Sequence, residues 1–218
     1  MTRKDILIRT LRIVWGLFVF SIGTTMTRIS NIGMAPWVTL AVGISGKTGI
    51  SYGTVNAVIS ILIVGMDLLL HEHIGIGTIL DAVLCGYYSD FIIWTGLLPE
   101  PSTMAGGVIM TLIGIALCAV GQYYYMAAQL GCGPRDTLFI GLGKRLRKLS
   151  IGAVQTVILV VVFAIGWLLG APAGIGTLIN VFCTGYIMQA VFRLLHFDPR
   201  DLTQVGLIEG CLILIKGE

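Results

Sequence analysis

The chain has 218 residues, 56% of them hydrophobic and only 11% charged, with 14 Lys and Arg against 11 Asp and Glu for a formal net charge of +3. A mean hydropathy of +0.93 leaves too few charges to cover a soluble surface of this size and places the chain in a bilayer. The small positive excess is orientation information for a membrane protein; a nucleic-acid surface would need a basic face with interleaved aromatics, which the chain lacks.

Arg3, Lys4, Arg9 and Arg12 open the first apolar stretch, Ile6 to Met26, which predicts a spanning helix that starts in the cytoplasm. No small-residue cleavage site follows, so the stretch reads as a helix and not as a signal peptide. Arg28 to Ala35 is polar and glycine-containing, and Pro36 can open a new helix because its missing N–H falls where no intrahelical partner exists. From Pro36 to about Ser45 that helix would cover about 15 Å, half the hydrocarbon thickness, so it should re-enter or lie within the protein. Gly46-Lys47-Thr48-Gly49 ends it, Ser51 caps the second span from Tyr52 to Leu70, and His71-Glu72-His73 makes an interfacial turn in which no metal is expected. A third span runs from Gly75-Ile76-Gly77-Thr78 to about Trp94.

Gly96 and Leu97-Leu98-Pro99-Glu100-Pro101 then form a stiff link. Met104 to about Met126 is the fourth span, Gly131-Cys132-Gly133-Pro134 is a break, and Thr137 to Gly143 is a second short helix. Lys144-Arg145-Leu146-Arg147-Lys148 anchors a cytoplasmic loop, Ser150 caps, and Val154 to Leu169 is the fifth span. Gly174-Ile175-Gly176-Thr177 opens a sixth span ending near Arg193, and Asp201 to Ile215 is expected to lie at the interface as an amphipathic helix. Cys85, Cys118, Cys132, Cys183 and Cys211 show no C-x-x-C spacing and read as packing thiols, so neither metal nor cofactor is expected.

The halves resemble each other. Gly33, Pro36, Thr39 and Leu40 match Gly131, Pro134, Thr137 and Leu138 at an offset of 98 (131 − 33). Ser51, Gly53, Val55, Gly75-Ile76-Gly77-Thr78, Asp81 and Gly86-Tyr87 match Ser150, Gly152, Val154, Gly174-Ile175-Gly176-Thr177, Asn180 and Gly185-Tyr186 at 99 (174 − 75). The expectation is an all-α polytopic membrane protein of about six transmembrane helices plus two half-helices. Residues 1–98 form a first repeat with its break at 31–36, residues 99–197 a second with its break at 129–134, and residues 198–218 a cytoplasmic or interfacial segment. Three crossings per half make the repeats inverted and put both termini in the cytoplasm of a bacterial inner membrane.

A Gly-x-x-Pro-Trp or Gly-x-Gly-Pro-Arg-Asp break followed by a Gly-Ile-Gly-Thr helix start, twice over, resembles the YczE-like branch of the YczE/YyaS/YitT group of bacterial membrane proteins over nearly the whole chain. The resemblance implies the architecture. Family sequences tend to carry Pro-Trp-Asp in the first break, where this chain has Val38, so two symmetric carboxylates are not available.

Pro134 at the first helical position places Arg135 and Asp136 at the positive end of the second half-helix. Asp136 suits that dipole; Arg135 does not, which points to an anionic neighbour or ligand. Gly131, Gly133, Pro134, Arg135, Asp136 and Thr137, with Gly33, Pro36, Trp37 and Thr39 from the first break, are therefore the expected ligand-binding set. Asp81, about 9 Å into the third span by rise, shares a polar stripe with Thr78, as Asn180 does with Thr177. A carboxylate there suggests proton or cation coupling, and Asn56 and Gln155 could add amide contacts. Tyr123-Tyr124-Tyr125 reads as an aromatic belt and Asp67 as an interfacial charge. No G-x-S-x-G, H-E-x-x-H or Walker motif occurs, so an enzyme is not expected. The leading functional expectation is secondary transport of a small anionic solute. The alternative is a regulatory or accessory membrane subunit acting through a partner protein with no transport of its own; the partners expected besides lipid and solute are a second copy in a homodimer or a partner membrane protein.

Overall fold

The structure is a computed structural model that describes residues 3–72, 74–146, 151–197 and 206–207. Among these the chain forms helices α1 (Arg3–Ile29), α2 (Pro36–Thr48), α3 (Tyr52–Leu69), α4 (Ile76–Thr95), α5 (Met104–Met126), α6 (Pro134–Arg145), α7 (Ile151–Leu168) and α8 (Ile175–Leu194), and no strand. Five of them, α1, α3, α4, α5 and α8, are long and apolar enough to cross a membrane, and Val154–Leu168 is a shorter apolar helix. The protein is a polytopic α-helical membrane protein.

The short helices are longer than local signals suggested, with 13 residues in α2 and 12 in α6. In α2 the helix runs through Gly46 and stops only at Gly49, whose left-handed φ of 73° ends it with its N–H on the Ser45 carbonyl. In α6 the proline starts the helix itself, three residues before Thr137. At about 20 and 18 Å, both remain shorter than a bilayer core of about 30 Å. Ser51 caps α3 by accepting from the Thr54 N–H at 3.2 Å, as expected. Arg147, Lys148 and Ser150 lie outside the described residues, as does all of Asp201 to Ile215 apart from Gly206 and Leu207.

Helices α1 and α5 form the central pair. Their backbones touch because glycines meet glycines: a Cβ on Gly16 would lie 2.9 Å from the Gly121 carbonyl, and one on Gly114 would lie 2.7 Å from that of Gly23. Outward from this pair α4 packs on α1 and α8 on α5, α3 packs on α4, and both short helices bridge α3 and α7. The resulting ring is closed between α3 and α4, where a Cβ on Gly86 would lie 2.7 Å from the Gly53 carbonyl. Helices α7 and α8 do not pack together in this way, and a Cβ on Gly185 would meet nothing within 4 Å.

The two glycine turns are each stitched to a helix of the opposite half. In the turn before α6, Leu130 accepts the Gly77 N–H at 2.8 Å at the start of α4; in the turn before α2, Ile32 accepts the Gly176 N–H at 2.7 Å at the start of α8. Gly131 and Gly33 take φ of 114° and 111°, a region in which a side chain would be strained, and each faces a threonine, Thr78 or Thr177. Backbone approach this close is why the α4 and α8 starts read Gly-Ile-Gly-Thr.

Two sequence-based expectations change. Asp67 is not an exposed charge: near the end of α3 its side chain is fully buried, and among the described residues neither carboxylate oxygen has a hydrogen-bond partner. Tyr125 leaves the belt. It is 4% exposed in a cluster with Ile6, Ile13, Leu17, Ala128 and Leu130, whereas Tyr123 and Tyr124 stay half-buried with the Arg12 guanidinium 5.4 and 5.7 Å from their ring centres.

Candidate functional site

The first turn of α6 faces a cavity of about 70 Å³. Its walls come from five helices: Phe20 on α1, Asn56 and Ser60 on α3, Asp81 and Cys85 on α4, Gln122 and Tyr125 on α5, and Gly133, Arg135 and Asp136 at the start of α6. Room of that size holds about five waters or a solute of a few heavy atoms.

Two carboxylates converge in it. Asp136 sits in the first turn of α6, where the helix dipole favours an anion, and accepts the Tyr125 hydroxyl at 3.3 Å. Asp81 reaches the same place from α4: a Cβ on Gly133 would lie 2.9 Å from Asp81 Oδ2 and 3.5 Å from Asp136 Oδ2. Gly133 therefore does more than loosen the break. Its missing side chain is the space the two carboxylates share.

Arg135 lines the same cavity but makes its direct contacts elsewhere. Its Nη2 donates to Asn56 Oδ1 at 2.6 Å, and its guanidinium lies 5.2 Å from the centre of the Trp37 ring on α2. Its Nε is buried without a partner. Arg28 forms an ion pair with Asp90, far along α1 and α4, and among the described residues neither Asp81 nor Asp136 forms one with Arg135. Ser60, 3% exposed, lines the cavity with its hydroxyl bonded to no described residue.

The remaining expected site residues shape the scaffold around the cavity. Thr78 donates to the Cys132 carbonyl at 2.6 Å and accepts the Gly75 N–H at 3.2 Å, locking the Gly131 turn onto α4. Thr137 and Thr39 donate back to Gly133 and Ala35 within their own first turns, both at 3.1 Å. Gly33 and Pro36 form the start of α2, and Thr177 is buried against Gly33. Asn180 donates to Gly176 on its own helix at 2.8 Å, and Gln155 is exposed on α7. These last two do not join Asp81 and Asn56, because α7 and α8 stand apart where α3 and α4 are closed. Phe20, Ser60, Gln122 and Tyr125 were not anticipated. Ser60 stands one turn beyond Asn56, and Tyr125 three residues beyond Gln122, so helical spacing carried a signal for both pairs.

The model of a family of unknown function, DUF6198, matches residues 7–193. The chain is 30% identical over 187 residues to an uncharacterized protein of Haemophilus influenzae, covering 86% of this chain and 84% of that one. It is 29% identical over 189 residues to the uncharacterized membrane protein YczE of Bacillus subtilis, covering 86% of each, and 25% identical over 186 residues to YyaS of the same organism, covering 81% of this chain and 88% of that one. No solved structure matches. With a family model spanning most of the chain and relatives of this kind, the protein belongs to the DUF6198 family, a YczE-like family of bacterial membrane proteins.

Proposed function

We propose that this protein is a secondary transporter of a small polar solute in the bacterial inner membrane, built as two inverted repeats, with Arg135 receiving an anionic group of the solute and Asp81 as the coupling carboxylate. The observation that carries the reading is one charged cavity inside a ring of helices whose two equivalent seams are unequal: α3 is closed on α4, and α7 stands off α8. A polar cavity that holds two carboxylates and a guanidinium costs stability in a membrane, and structural packing needs none of them.

The repeat reading is supported by the recurrence of each turn in its counterpart. Asn31 and Gln129 share φ of 58° and 60°, the Gly33 and Gly131 turns make the same bond to a Gly-Ile-Gly-Thr start, and α4 rests on α1 as α8 rests on α5. In such an architecture the unequal seams are two positions of one gate, and exchanging them carries the cavity from one face of the membrane to the other.

Purified protein in liposomes should catalyse uptake or counterflow of a small polar solute with no other polypeptide present. A second reading, an accessory subunit, draws on the apolar face left uncovered on α8, where Phe182 is 67% and Tyr186 78% exposed. Stoichiometric co-purification with one partner, together with silent liposomes, would favour it over transport.

A further inference from the structure

We infer that the solute carries a positively charged nitrogen as well as its anionic group, so that the cavity takes small zwitterions of the amino-acid type. This rests on the transport-site reading above and goes beyond it by naming the ligand class. The ammonium would lie between Asp81 and Asp136 in front of Gly133, and the anionic group would take the buried Nε of Arg135.

The reasoning is a charge count set by geometry. The cavity holds two carboxylates that approach one small volume and one guanidinium that pairs with neither. Asn56 and Trp37 hold that guanidinium, so bringing it into direct contact with either carboxylate would strain both contacts. A solute with only an anionic group would enter beside two carboxylates served by a single guanidinium, and like charges removed from bulk water repel strongly. A simple amine would satisfy the carboxylates and leave Arg135 Nε buried and unbonded. A neutral solute answers neither need. A molecule with both charges a few bonds apart answers both, and the unbonded hydroxyl of Ser60 with the rings of Phe20 and Tyr125 completes a wall suited to an ammonium. The volume, about 70 Å³, favours the smallest such compounds, glycine and β-alanine, with 4-aminobutyrate and taurine as longer probes of the limit.

The test uses the full-length protein in nanodiscs and three matched probe sets: glycine, β-alanine, 4-aminobutyrate and taurine; acetate, propionate and butyrate; and methylamine, ethylamine and propylamine. Binding is read by calorimetry and by thermal shift. At least one zwitterion should bind, with the matched acid and the matched amine each weaker by tenfold or more. Asp81→Asn should weaken that zwitterion tenfold or more while leaving any residual binding of the acid unchanged. Asp136→Asn serves if Asp81→Asn does not fold, as judged by gel filtration. Acids binding as tightly as zwitterions, amines doing so, or silence across the zwitterion set would each overturn the assignment. Transport is scored separately: zwitterion binding without counterflow in liposomes would sink the transporter and keep the ligand class. Counterflow of an acid that lacks an amino group would keep the transporter and sink the ligand class.

Discussion

Arg135 occupies the first turn of α6, where the helix dipole disfavours a cation, and two contacts hold it there: Asn56 at 2.6 Å and the face of Trp37. Neither contact uses Nε, the atom to which the proposed transport site assigns the solute's anionic group. On the proposed transport function, Arg135→Gln should lower solute affinity by roughly tenfold to a hundredfold, the equivalent of about 1.5 to 3 kcal/mol for a charge-assisted hydrogen bond, measured by calorimetry. Lysine at the same position should restore only part of it, because an ammonium cannot reach Asn56 and the ligand through one planar fork. Full affinity in a folded Arg135→Gln protein would sink the site assignment. The placement of Arg135 and Asp136 in the first turn of α6 was legible in the residues themselves, since Pro134 after Gly-x-Gly marks a helix start. That Asp81 meets Asp136 was not, because 55 residues (136 − 81) separate them and no local pattern spans that distance.

At the level of elements, the decisive devices are glycines at backbone contacts. Gly131 combines a φ of 114° with Thr78 Oγ1 2.8 Å from where a Cβ would sit, so Gly131→Ala should destabilise the protein by about 1 to 3 kcal/mol, seen as a lower Tm. Gly86 and Gly185 provide a matched comparison. Gly86→Ala drives a methyl into the Gly53 backbone and the Asn56 side chain and should also lower Tm, while Gly185→Ala enters open space and should leave Tm within about 1 °C. If α7 closes on α8 during the transport cycle as α3 is closed on α4, Gly185→Ala should nevertheless slow transport. An unaltered rate in liposomes would argue against such closure.

For the whole molecule, the unequal seams and the orientation of the halves are separately testable. The counterparts of Asn56 and Gly86, whose Cβ positions approach to 2.9 Å, are Gln155 and Gly185. A Gln155→Cys, Gly185→Cys protein should form a cross-link in membranes at a rate that changes when the solute is added, and no cross-link under any condition would mean that the α7 and α8 seam stays open. Orientation is read by labelling. Single cysteines at Lys47 and Glu100 should react from the periplasm and one at Arg145 only from the cytoplasm. A cysteine at Glu100 that reacts only from the cytoplasm would make the halves parallel and remove the gate argument.

Hydropathy and residue spacing are local quantities, and they determined the local features: membrane embedding, the bounds of most helices to within a few residues, the Ser51 cap, and the two proline-led helices after glycine turns. They overstated the symmetry: matched residues look equivalent in sequence, yet Asn56 is buried and Gln155 exposed, and Asp81 lines the cavity while Asn180 bonds back to Gly176 on its own helix. Only tertiary structure decided that each turn docks on a helix of the opposite half, that Asp67 and Tyr125 are buried, and that α6 aims its first turn into a cavity walled by residues of both halves. The physical reason is that enclosure depends on which helix faces meet. Backbone contact at Gly53 and Gly86 closes one seam, and nothing in the matched Gly185 sequence reveals that the other stays open.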